Sequence, residues 1–162
     1  MTTNVAAPVV RKSVVVHATL EQAFKVFTEG FDLWWPRGHH IGKGELEKAV
    51  VERRVGGRCY GREADGTECD WGHVLVWEPP NRLVLAWQIN PQWQFEPDLA
   101  KASEVDVHFL DQRNGTTRID LEHRHFERHG AGAEAMRTSV DAEGGWGSLL
   151  GLFKAAAERK QD

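Results

Sequence analysis

Cysteine, net positive charge, long apolar runs and catalytic signatures are all scarce in this chain, and each scarcity excludes something. Two cysteines in 162 residues cannot make a disulfide-rich scaffold. An Asp65-Gly66 hairpin is expected to pair Arg58 with His73 and Tyr60 with Trp71. Cys59 then opposes Gly72, Cys69 opposes Arg62, and the thiols fall on opposite faces. Two free thiols fit a reducing compartment, so a cytoplasmic location is expected. No run approaches the ~18 apolar residues of a membrane span. The N-terminus, MTTNVAAPVV, shows no basic start followed by a long apolar segment, hence no visible signal peptide. Twenty Lys and Arg against 24 Asp and Glu give a net charge of −4, which offers no basic patch for a nucleic-acid partner. Arg53, Arg54, Arg58 and Arg62 are locally basic, but Glu52 and Glu63 flank them. Nucleophile elbow, Walker loop, dinucleotide fingerprint, HExxH and paired CxxC are all missing. The loop RGHHIGKG at 37–44 lacks phosphate-loop spacing. No cofactor and no metal are expected.

What is present is tryptophan, seven in all, three of them in the stretch 68–88. Read with a period of two, Cys69, Trp71, His73, Leu75 and Trp77 share one strand face. After the breaker Pro79-Pro80-Asn81, Leu83, Leu85 and Trp87 share one face of a second strand. A loop over residues 78–82 pairs Trp77 with Leu83, Leu75 with Leu85 and His73 with Trp87. A one-residue slip would turn every one of these side chains over.

The remaining chain reads in order. Residues 1–8 form a disordered tail and residues 9–159 one domain, since no linker or repeat interrupts them. Residues 9–17 are β-branched, with Val14 and Val16 inward. Thr19 and Gln22 make a capping box ahead of Leu20, Ala23, Phe24 and Phe27 at helical spacing. A short helical turn over 31–35 ends at Pro36. Strands follow at 45–54, 58–62, 69–77, 82–89, 103–111 and 117–126. The hairpin joining the last two needs a three-residue loop, Arg113-Asn114-Gly115, to keep Phe109 in phase with Ile119. Over 133–159 the period becomes helical, with Met136, Val140, Trp146, Leu149, Leu150, Phe153 and Ala157 on one stripe. One long helix with a weak point at Gly144-Gly145 is expected. An antiparallel sheet must cover its apolar face, so the sheet should curl around that helix.

That order, with WWP at 34–36, GGRCYGREADGTE at 56–68, WGHVLVWEPPNRLVLAW at 71–87, GTTRIDLEHRHFE at 115–127 and GWGSLLGLF at 145–153, resembles the START-like, birch-pollen-allergen-like (SRPBCC) superfamily. Within it the chain is most similar to the branch named for activators of the heat-shock protein 90 ATPase. The resemblance implies an α+β helix-grip fold: a curved antiparallel sheet of about seven strands around a long C-terminal helix, with two short helices after the first strand. It also implies a cavity between sheet and helix. Members bind apolar ligands there and a minority do chemistry. Chaperone-stimulating relatives carry an extra N-terminal domain for which this chain has no room, so a chaperone partner is the lesser expectation. A homodimer stays open.

A small apolar or aromatic ligand is the expected partner. Its candidate walls are Trp34, Trp35, Tyr60, Trp71, Trp87, Trp93, Phe95, Met136, Trp146, Leu150 and Phe153, with Trp93 and Phe95 as rim. The alternative for the same set is packed core. His73 and Arg58 are the candidate polar anchors, and His73 the candidate base of a cyclase- or hydrolase-type enzyme. A void above ~300 Å³ beneath residues 146–153 would favour a ligand, and a filled one an interaction module. His123, His125 and His129, with His39 and His40, lack a metal-binding motif and are read as structural. Glu104, Asp106, Asp120 and Glu122 point outward by parity, toward Arg118 and Arg124.

Overall fold

The computed structural model describes residues 8–159, so all but the last residue of the expected tail lies outside the described residues. Strands β1 (Val10–Val16), β2 (Leu46–Val51), β3 (Arg58–Glu63), β4 (Glu68–Glu78), β5 (Arg82–Trp87), β6 (Ser103–Asp111) and β7 (Thr117–Arg124) form one antiparallel sheet, in the order β1-β7-β6-β5-β4-β3-β2. Helices α1 (Leu20–Thr28), α2 (Phe31–Trp34), α3 (Ala133–Asp141) and α4 (Trp146–Ala157) complete the α+β helix-grip fold. Helix α4 fills the concave face, against α1, α2 and β1.

Local chemistry explains the early elements. The Thr19 hydroxyl accepts the Gln22 amide N–H at 3.2 Å and opens α1. Trp35, with ψ 124°, takes the extended conformation that a following proline requires and ends α2. The β6–β7 hairpin has the expected three-residue loop. Gly115 sits at φ 81°, and Phe109 pairs with Ile119.

Strand β4 departs from strict alternation twice. The turn before it is a three-residue loop, closed by Glu63 N–H to Thr67 O at 2.8 Å, with Gly66 at φ 90°. Tyr60 therefore pairs with Asp70, not Trp71. A bulge at Trp71 then restores the expected pairs Cys59–Gly72 and Arg58–His73. A second bulge, at Leu75 against β5, pairs Val74 with Leu85 and Gly72 with Trp87, while Trp77 still meets Leu83. The inward set becomes Cys69, Trp71, Gly72, Val74 and Trp77. His73, expected inward opposite Trp87, pairs with Ala86 on the outer face. Cys69 opposes Gly61, two residues from Cys59, so the thiols share the inner face; both remain free.

The expected single C-terminal helix is two. Helix α3 ends at Ala142, whose ψ of 169° is extended, and α4 begins after Gly145. A Cβ on Gly145 would lie 2.0 Å from the Val140 carbonyl oxygen, so the chain folds back more tightly than any side chain permits.

Candidate functional site

The break between α3 and α4 opens one end of the grip. There the end of α2 supplies Trp35, the β4 bulge supplies Trp71, the last residue of β5 is Trp87, and the first residue of α4 is Trp146. Their indoles close a ring. Trp35 stacks on Trp71 at 5.7 Å and 3°, Trp71 meets Trp87 edge-on at 5.8 Å, Trp87 meets Trp146 at 5.7 Å, and Trp146 returns to Trp35 at 6.2 Å. These rings border a cavity of about 220 Å³, short of the ~300 Å³ mark of a drug-sized site but open to solvent. Ile89, Val140 and Leu149 add apolar wall. Trp93, 48% exposed, forms the rim with the segment from Gly38 to Ile41. No Asp, Glu, Lys or Arg is among the lining residues.

The rims are tied to the scaffold. The Trp35 indole N–H donates to His39 O at 2.6 Å, and His39 Nε2 lies 3.2 Å from Gly144 O, joining the 37–44 loop to the helix break. The Trp93 loop hangs on Gln88, fully buried, whose amide donates to Glu96 O at 3.1 Å. His73 Nδ1 hydrogen-bonds the Gln88 side-chain oxygen from the outer face. His73 thus buttresses the rim from outside.

Behind the cavity wall lies a polar chain. Trp146 Nε1 donates to His123 Nδ1 at 3.0 Å. An indole N–H can only donate, so neutral His123 carries its proton on Nε2 and gives it to Ser103 Oγ at 2.7 Å. Ser103 then donates to His129 Nε2, also at 2.7 Å. His123 and Ser103 are wholly buried. Burial holds the His123 imidazole well below its ordinary pKa of 6.5, with the nearby His129 adding to the effect. Burial also lowers His129. A neutral His123 is the form that can accept from Trp146, so the chain sets the orientation of that wall indole.

Of the residues the sequence nominated, Trp35, Trp71, Trp87, Trp93 and Trp146 line the cavity. Trp34 does not: its N–H donates to Val26 O at 3.2 Å and its rings pack on Phe27, Phe31 and Phe153. Met136, Leu150 and Phe153 are solid core as well. Phe95 bridges to Ile89 and stays off the wall. Arg58, Tyr60 and His73 sit on the outer face because of the two bulges. There the Arg58 guanidinium lies 4.2 Å over Tyr60 and is engaged by Asp70 and Glu68. His39 and His40, read from sequence as structural, Leu149, read as part of the helical stripe, and Ile41 were not nominated for the wall they line. The one sequence clue was a histidine pair between glycines directly after WWP.

The outer face carries the expected charge pairs. Burial would raise the Asp106 carboxyl, but Arg82 at 2.9 Å and Arg124 at 2.7 Å outweigh it and hold it below the usual carboxylate range. Among the described residues no group of three or more His, Cys, Asp or Glu is arranged to hold a metal, and no helix is long and apolar enough to cross a membrane.

Comparison with known proteins follows this geometry. The family model "Activator of Hsp90 ATPase homolog 1-like protein" matches residues 17–158. The anthrahydroquino-gamma-pyrone synthase Txn09, solved complexed with SUM, is 42% identical, with 92% of this chain and 96% of that one covered and a TM-score of 0.65. The self-sacrificing resistance protein CalC from Micromonospora echinospora is 34% identical, covers 95% of this chain and 98% of its own, and has a TM-score of 0.69. Protein NE0264 from Nitrosomonas europaea shares the fold at 14% identity and TM-score 0.64, over 92% and 93% of the two chains. No curated protein matches. Seven curled strands around a C-terminal helix, the matched span and the two closer likenesses agree: the chain belongs to the Activator of Hsp90 ATPase homolog 1-like family, within the SRPBCC superfamily.

Proposed function

We propose that this protein binds a small, apolar, aromatic molecule in the tryptophan-lined cavity. The observation that carries the reading is the set of four packed indoles bordering an open cavity of about 220 Å³. Flat aromatic walls with few polar groups suit a flat apolar ligand. The likeness to Txn09, named as a synthase of a polycyclic aromatic product, supports the same ligand class. Two free cysteines support a cytoplasmic location.

The chaperone-interacting reading calls for a collapsed, dry cavity, and the open cavity speaks against it. The enzyme reading loses His73 as its base, because that ring lies on the other side of the sheet. The binding reading is tested by native mass spectrometry of gently purified protein, with tryptophan quenching by a panel of planar aromatics. Retained mass or saturable quenching is expected. A protein that carries nothing and is quenched by no panel member overturns the reading.

A further inference from the structure

Trp93 stands apart from the other tryptophans. It is 48% exposed, and among the described residues its ring meets no other aromatic ring, whereas the ring of every other tryptophan does. Its backbone is set apart too. Trp93 lies at φ 60°, in the left-handed region that a residue with a Cβ enters at a cost. The turn that puts it there occurs twice in the molecule. Asn90 N–H donates to Gln94 O at 2.9 Å, and Trp93 N–H donates to Asn90 O at 2.8 Å. In the β3–β4 loop Glu63 N–H donates to Thr67 O at 2.8 Å, and Gly66 N–H donates to Glu63 O at 2.9 Å. The two loops match bond for bond, yet the left-handed place holds glycine in one and tryptophan in the other.

The Trp93 loop is also held fast. Asn90 Oδ1 accepts the Gln92 and Gln94 amides, both at 3.0 Å. A Cβ on Gly132 would fall 2.2 Å from the Pro91 Cβ, so Pro91 seats directly on that glycine. Neither turn chemistry nor aromatic packing accounts for an indole at this place, and strain of this kind collects where a ligand is gripped. The mouth of the cavity supplies the reason. The exposed members of its lining are Gly38, His39, Trp93, Ser139 and Gly144. The glycines offer backbone, His39 and Ser139 offer polar groups, and Trp93 alone offers a broad apolar face. The cavity behind it, at about 220 Å³, is too small to enclose a drug-sized ligand.

We infer that the ligand is an extended fused aromatic that overfills the cavity, its inner rings inside and its outer rings stacked on Trp93. This rests on the cavity being the ligand site. Three probes carry one hydroxyl each and differ in ring number: naphthalen-2-ol with two, anthracen-2-ol with three and pyren-1-ol with four. Each is titrated against the full chain by the anisotropy of its own emission, excited beyond the tryptophan band, so that losing an indole leaves the readout intact. Trp93→Gly is expected to weaken pyren-1-ol about five- to tenfold, the worth of one aromatic stack, and to leave naphthalen-2-ol within about twofold. The urea midpoint should hold or rise, because glycine relieves the left-handed backbone. Equal losses for short and long probes, or no loss for pyren-1-ol, overturn the inference and leave the cavity reading standing. A lowered urea midpoint overturns it too, by making the indole a structural plug. If the unmodified chain binds none of the three, the ligand-binding reading falls with it.

Discussion

The two ends of the grip are built from the same residue types and come out differently. At the closed end Phe24, Phe27, Trp34, Phe109 and Phe153 meet ring to ring at 5.0–5.6 Å, and Phe153 has no exposure at all. At the mouth four indoles keep nearly the same spacing, 5.7–6.2 Å, yet border open space. Ring spacing therefore does not distinguish core from cavity. The backbone facing the rings does. Helices α1 and α4 drive phenylalanines into the closed end, whereas Gly38, Gly144 and Gly145 present no side chain to the mouth. Packed interiors leave few voids, so a missing row of side chains is felt as volume.

The contrast can be broken most forcefully at Phe153. Phe153→Ala removes the ring on which α1 and α2 meet α4 through Phe27 and Trp34 and should cost about 3–5 kcal/mol in urea melts. Trp93→Ala, on the exposed rim, should shift stability by no more than about 0.5 kcal/mol yet weaken aromatic-probe quenching. Equal destabilisation by both would mean the mouth is as solid as the closed end.

Ser103→Ala tests whether the mouth's wall depends on the polar chain behind it. The change strands His123 Nε2 and His129 Nε2 without their shared partner. About 1–3 kcal/mol of stability should be lost, with a shifted tryptophan emission as Trp146 loosens. An unchanged melt and spectrum would make the chain incidental.

The same chain gives a pH dependence. Burial lowers the His123 and His129 pKa values in the folded state from the ordinary 6.5. Above 6.5 both states hold these rings neutral. As pH falls below it, the unfolded chain takes up protons that the folded chain refuses, so stability falls. Melts between pH 7.5 and 5.0 should show the decline, ahead of the carboxylates, and His123→Gln should flatten it. A flat profile in the unmodified chain contradicts the burial assignment.

The smallest effect on ligand binding is expected at His73. His73→Ala removes an outer buttress of Gln88 and should cost within about 1 kcal/mol. Probe affinity should barely change. A loss of binding comparable to that of a wall tryptophan would return His73 to the cavity and undo the assignment of its face.

Much of this was readable beforehand. The β6–β7 pairing followed from parity and one glycine, and Thr19 announced α1. Six tryptophans were nominated as wall or packed core, and the structure divides them: Trp35, Trp71, Trp87, Trp93 and Trp146 border the cavity, and Trp34 is core. His73, Arg58 and Tyr60 were misplaced because an alternation count carries no information about bulges. The members of the polar chain come from β6, β7, the 126–132 turn and α4, far apart in the chain.

The amino-acid order settled what neighbouring residues decide between themselves: which segments alternate, which spiral, and where a proline, glycine or capping hydroxyl ends them. Those preferences act over a few bonds. The facing of β4 was settled only on assembly, because that strand must satisfy β3 and β5 together and absorbs the mismatch as two unpaired residues. The helix break was settled there too, by the close return of Gly145 onto the Val140 carbonyl. The cavity exists because of that return, and no local preference encodes it.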